Sequence, residues 1–177
     1  MKKLIIVASL VCISHGYLFA GQHYELSNYS VTADTNLNST LSKLLVLYYD
    51  VKDALVAGHS ETAATKAGDF VKTANDIDMK TLSQKDRKVF TPLKSKLVFD
   101  ATHISETKDI EHQREHFANF STNMFILAKA VKLTKQPVYE QYCPMKKNYW
   151  LSNESGIKNP YYGSSMLTCG RVVETIR

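Results

Sequence analysis

Beyond its first twenty residues the sequence has no apolar run long enough to cross a bilayer. It has no basic stretch interleaved with aromatics, no internal repeat, no low-complexity linker and no paired Cys-x-x-Cys motif. Each absence excludes something. A helical span needs ~20 mostly apolar residues, so no membrane span is expected once the leader is processed. Nucleic-acid binding shows itself as a basic patch or stripe, so no nucleic-acid partner is expected. Without repeats or linkers, 177 residues point to one domain plus a processed segment. Without Cys-x-x-Cys pairs, the chain is not a zinc ribbon.

What is present begins with a leader. Lys2 and Lys3 form a basic start, Leu4 to Ala20 are almost uncharged, and Ala20 offers a small residue before Gly21. This is the layout of a signal peptide, residues 1–20, cleaved near Ala20. Ser14, His15 and Gly16 interrupt the apolar run, which argues against a retained anchor. Cys12 follows Val11, not a small residue, which argues against a lipoprotein. The expected location is the periplasm or the exterior. Two of the 22 basic residues lie in the leader, so the excess over 17 acidic residues falls from +5 to a mild +3. Cys143 and Cys169 remain, in an oxidising compartment.

Residues 21–35 are polar and aperiodic and read as an N-terminal arm. The domain is expected to span residues 36–177. Leu37, Leu41, Leu44, Leu45, Tyr48, Val51, Ala54 and Leu55 keep the three-four spacing of one helix face, and Gly58 is a C-cap candidate. Ser60 can cap a second helix with Ala63, Ala64, Ala67, Phe70, Val71 and Ala74 on its stripe. A third helix is expected from about Gln84 to Ile104, kinked or split by Pro92. A fourth is expected from about Thr107 to Leu133. The fold class predicted is all-α: an antiparallel up-down bundle of about four helices. Residues 138–175 should pack on it as an irregular, turn-rich layer. In that layer Trp150 is the anchor and Asn159-Pro-Tyr-Tyr-Gly163 a turn.

Two sulfur clusters stand in this last segment: Cys143-Pro-Met145 and Met166-Leu-Thr-Cys169. Each pairs a thiol with a thioether, and soft ligands of this kind select Cu(I) and similar ions. The residues leave three readings open. The cysteines form a disulfide, they hold a metal with the methionines, or they are structural thiols beside methionines that fill the core.

The runs Tyr142-Cys-Pro-Met-Lys, Trp150-Leu-Ser, Ile157-Lys-Asn-Pro-Tyr-Tyr-Gly and Met166-Leu-Thr-Cys-Gly-Arg-Val resemble the DUF3347 family. Tyr49-Asp-Val-Lys-Asp-Ala-Leu-Val, Gln113-Arg-Glu-His-Phe and Phe120-Ser upstream also fit its pattern. The resemblance covers roughly residues 40 to 175. It implies a small exported protein, or the end domain of a periplasmic adaptor subunit of copper and silver efflux pumps. It thereby implies heavy-metal handling with such a component as partner.

His112 and His116 are four apart and share a helix face. His116 is a fifth ligand candidate beside Cys143, Met145, Met166 and Cys169 if the tail folds against this helix. Half-buried and hydrogen-bonded to a tail carbonyl is the plainer expectation for it. His103 reads as a surface or cap position. His112-Gln-Arg-Glu-His116 also matches the H-x-x-E-H pattern of inverted zinc metallopeptidases. A hydrolase using His112, Glu115 and His116 is therefore a remote alternative. The leading expectation is a non-enzymatic protein binding Cu(I) or another soft ion, buffering it or passing it to an efflux system. The runner-up is a disulfide-stapled interaction module without metal.

Overall fold

The structure is a computed structural model, and it describes residues 39–177. The expected signal peptide and N-terminal arm lie outside the described residues. Among the described residues four helices come first: α1 (Ser39–Ala57), α2 (Ser60–Asn75), α3 (Gln84–Ser105) and α4 (Ile110–Ala130). Three strands follow: β1 (Val138–Cys143), β2 (Asn148–Ser152) and β3 (Arg171–Ile176), with a short 3-10 turn, Gly163–Met166, before the last.

The helices form where the apolar spacing predicts. On α1, Leu41, Leu44, Leu45, Tyr48, Val51 and Leu55 are buried. Gly58 ends the helix at φ 76°. Its N–H donates to the Leu55 carbonyl and the His59 N–H to the Ala54 carbonyl, the paired bonds of a Schellman cap. The chain then turns straight into α2. Its N-cap is His59, without a side-chain cap bond, so Ser60 is the first helical residue and not the cap. The buried stripe of α2 is Ala63, Ala67, Phe70 and Ala74. Three alanines let the neighbouring helices approach closely.

Ser83 caps α3 by accepting the Asp86 N–H at 3.0 Å. The helix is not split at Pro92; it runs on to Ser105. Buried Phe90 and Leu93 flank the proline and hold both halves on the core. The Thr91 hydroxyl takes the Arg87 carbonyl at 2.7 Å. α4 starts at Ile110, later than the periodicity suggests, because Asp109 is its cap and accepts the Glu111 N–H at 3.0 Å. The buried Gln113 amide takes the carbonyls of Ser60, Ile104 and Thr107, closing the α3–α4 turn and the start of α2. Each helix packs on the next, and α1 also meets α4. Tyr48, Phe70, Phe117 and Phe120 join in the core through stacked and edge-on ring contacts.

The fold is not purely all-α. The segment expected to be irregular carries a three-stranded antiparallel sheet of order β2-β1-β3. Gln141 pairs with Trp150 and Cys143 with Asn148 on one side of β1. Val138 pairs with Ile176 and Tyr142 with Arg171 on the other. The correction has a physical cause. Val-Tyr-Glu-Gln-Tyr-Cys and Asn-Tyr-Trp-Leu-Ser each carry two aromatics, and the first opens on a β-branched valine, residue types that fit a pleated, half-buried surface. β2 packs on α4. Trp150 is 1% exposed, as expected of an anchor. The Leu151 N–H donates to the Tyr48 hydroxyl at 2.9 Å, and that hydroxyl meets Ser121 at 2.8 Å. Arg114 of α4 donates from Nε to the Pro160 carbonyl and from Nη2 to the Leu55 carbonyl, tying the tail to the end of α1. Among the described residues no helix is long and apolar enough to cross a membrane.

Candidate metal-binding sites

Cys143 is the last residue of β1, and its side chain is fully buried. Pro144, Met145, Lys146 and Lys147 form the loop to β2, with Lys147 at φ 56°. Cys169 precedes β3, which pairs with β1, so the two cysteines reach the same end of the sheet. A buried side chain joins them. Asn159 Nδ2 donates to Cys143 Sγ at 3.1 Å and to the Cys169 carbonyl at 2.7 Å. Its Oδ1 accepts the Tyr161 N–H at 2.9 Å, which fixes the amide's orientation. Cys143 Sγ accepts a second, longer contact from the Lys146 N–H at 3.5 Å.

Gly170 explains how the chains come so close. A Cβ there would lie 2.9 Å from the Trp150 ring and 2.9 Å from the Tyr142 carbonyl. Both thiols are free. Met166, at the end of the 3-10 turn, is half-buried, and its carbonyl accepts the Cys169 N–H at 3.1 Å. Met145 stands at the loop and is 61% exposed. The structure therefore brings Cys143, Asn159 and the Met166–Cys169 segment together, with Met145 at the rim. The sequence reading gave Asn159 only a turn-forming role; its burial and its bonds to both cysteine segments are a finding of the fold.

His116 is elsewhere. It projects from α4 toward α3, where its Nδ1 lies 3.2 Å from Asp100 Oδ1. Its ring stacks on His103 with centroids 4.4 Å apart and planes 3° from parallel. His112 is one turn earlier on α4, with its ring 4.8 Å from His116. The ligand nitrogens of His103, His112 and His116 lie within 4.8 Å of one another, and all three residues are half-buried. The Asp100 side chain is 5% exposed. Burial pushes its carboxyl up, and the hydrogen bond from His116 and the charges of His116 and His103 pull it part of the way back. Glu115, the central acid of the H-x-x-E-H pattern, is exposed, and its carboxylate is 3.9 Å from His112 Nδ1.

His103, read from sequence as a surface or cap position, is thus half-buried and part of a group. The antiparallel α3–α4 hairpin brings it opposite His112 and His116. The available sequence signal was the short connection between two helices, which sets residues before the turn against residues after it.

The family model described as Protein of unknown function (DUF3347) matches residues 44–136. The matched segment spans the helices from within α1 to beyond α4, with all three clustered histidines, and ends before the sheet. No curated protein and no solved structure gives a match.

Proposed function

The chain belongs to the DUF3347 family, and from that premise we propose that it is an exported, non-enzymatic protein that binds a soft metal ion. The ion is Cu(I) or one like it, held at the sulfur end of the sheet and either buffered or passed to a heavy-metal efflux component. One observation carries the reading. The buried Asn159 amide bonds to Cys143 Sγ and to the Cys169 carbonyl, so the Cys143 thiol and the Cys169 backbone, 26 positions apart in sequence, are tied together at one end of β1 and β3. Two free thiols, with the half-buried Met166 three residues before Cys169, offer donors of the soft class. Cys169 is half-buried, which leaves the ion a way in and out and favours hand-over by ligand exchange over storage. The leader-like first twenty residues support action in the cell envelope.

Anaerobic titration of the reduced mature protein with Cu(I) against a competing chelator tests this. One tightly held equivalent is expected. Cys169→Ser and Cys143→Ser should each weaken it at least about tenfold, ~1.4 kcal/mol, with helical content unchanged. Affinity that survives both substitutions would overturn the reading. Rapid formation of an intramolecular disulfide that no Cu(I) prevents would favour a stapled interaction module instead.

A further inference from the structure

We infer that the α3–α4 hairpin carries a second metal site, built from His103, His112 and His116, for a borderline divalent ion such as Zn2+ or Cu2+. It goes beyond the sulfur-end reading and does not depend on it, since the two sites share no residue. Three observations on this side of the bundle converge.

The first is the donor set. Imidazole is the protein ligand that suits zinc and copper, and three histidines with one open position form a recurrent arrangement for zinc. The cluster contains no sulfur, so the harder, divalent ions are its class, in contrast to the ion of the sulfur end.

The second is geometry. Nitrogens on one tetrahedral ion, at ~2.0–2.1 Å from it, are about 3.3 Å apart. The ligand atoms here lie within 4.8 Å of one another. The widest pair therefore closes by about 1.5 Å at most, relative to that tetrahedral spacing. Rotation of half-buried side chains supplies this without moving either helix. His112 and His116 are one turn apart on α4, and His103 faces them from α3, so two rigid elements fix the three Cα positions.

The third is the supporting carboxylate. Histidines that bind a metal almost always donate their other ring N–H to a carboxylate, a carbonyl or water, which sets the tautomer and orients the ring. The nearly buried Asp100 stands 3.2 Å from His116 Nδ1. Its carboxylate can only accept, so Nδ1 carries the proton and Nε2 is the nitrogen presented to an ion. All three histidines are half-buried and none is sealed in the core, so the cluster is open to an ion from solvent.

Zn2+ competition titration of the full mature chain, reduced, tests the site, with Co2+ absorption as its reporter of ligand type. The expected result is one Zn2+ site weakened at least tenfold by His103→Ala and by His112→Ala. Asp100→Asn should weaken it roughly 10–100-fold, and Cys143→Ser should leave it unchanged. Bound Co2+ should show ligand-field bands without thiolate-to-metal charge transfer. No Zn2+ binding, affinity indifferent to His103→Ala and His112→Ala, or a thiolate band on Co2+ that His103→Ala abolishes would each overturn the inference. The Cu(I) titration with the cysteine variants is read separately, so the failure of one site is distinguishable from the failure of the other.

Discussion

Asn159 decides how the sulfur end is held. It is fully buried, and its amide serves a thiol, a carbonyl and a backbone N–H at once. Asn159→Asp keeps the shape but replaces the donor with an acceptor facing the Cys169 carbonyl. An orphaned buried polar group costs ~1–3 kcal/mol, more when charged. Urea unfolding should therefore show a loss of at least that size, and an unchanged midpoint would mean that the amide does not hold the two segments. The methionines can be separated by similar reasoning. Met→Leu nearly conserves volume and should cost under ~1.5 kcal/mol at either position. Met166, half-buried beside Cys169, should weaken Cu(I) binding when replaced by Leu. Met145, exposed at the loop, should matter less. Equal and negligible effects in the chelator competition would remove the thioethers from the site. The sulfur clusters were legible as short words in the sequence because ligand chemistry resides in residue type. Asn159 was not, because a residue before proline reads as a turn whatever its amide touches. The three histidines were only half legible. His112 and His116 follow from helical spacing, whereas His103 and Asp100 join them through the α3–α4 pairing.

At the level of elements, the helices were readable because their apolar residues recur at the helical period. The strands were not. In β2, Trp150, Leu151 and Ser152 are all buried in succession, which erases the alternation that marks a half-buried strand. In β1 the glutamate and glutamine interrupt the apolar pattern, although Gln141 is buried and donates to the Glu154 carbonyl at 2.9 Å. Pro92, which was expected to kink or split the helix, does not split it, because buried Phe90 and Leu93 hold both halves of α3 on the core. That suggests a test. Pro92 is exposed within a helix interior, where proline is about 3 kcal/mol less favourable than alanine. Pro92→Ala should raise stability by up to ~3 kcal/mol, visible as a higher midpoint in thermal or urea unfolding. An equal or lower midpoint would show that the ring's own contacts or local relaxation already offset the missing N–H.

For the described part of the molecule, bundle and sheet should behave as one cooperative unit. The family match ends at residue 136, yet the helical segment alone would expose what the sheet covers. The Tyr48 hydroxyl accepts the Leu151 N–H and bonds to the Ser121 hydroxyl, Phe117 packs on Tyr161, and Arg114 donates to the Pro160 and Leu55 carbonyls. Trp150 sits in this seam, in contact with Tyr161 and pressed against Gly170. Its fluorescence therefore reports the sheet, while far-UV circular dichroism reports mainly the helices. If the two layers share one core, both signals follow a single transition, as two-state behaviour requires. Trp150→Ala should then lower the stability of the whole by ~3–5 kcal/mol, the usual cost of a large aromatic lost from a core, and should shift the helical transition with it. A soft ion bound at the sulfur end would raise the same single midpoint, since a ligand at 100 times its Kd adds ~2.7 kcal/mol to the folded state. Fluorescence that melts well before the helices would show instead that the sheet is a separately unfolding layer. In that case metal at Cys143 and Cys169 would stabilise the fluorescence transition alone and leave the helical one in place.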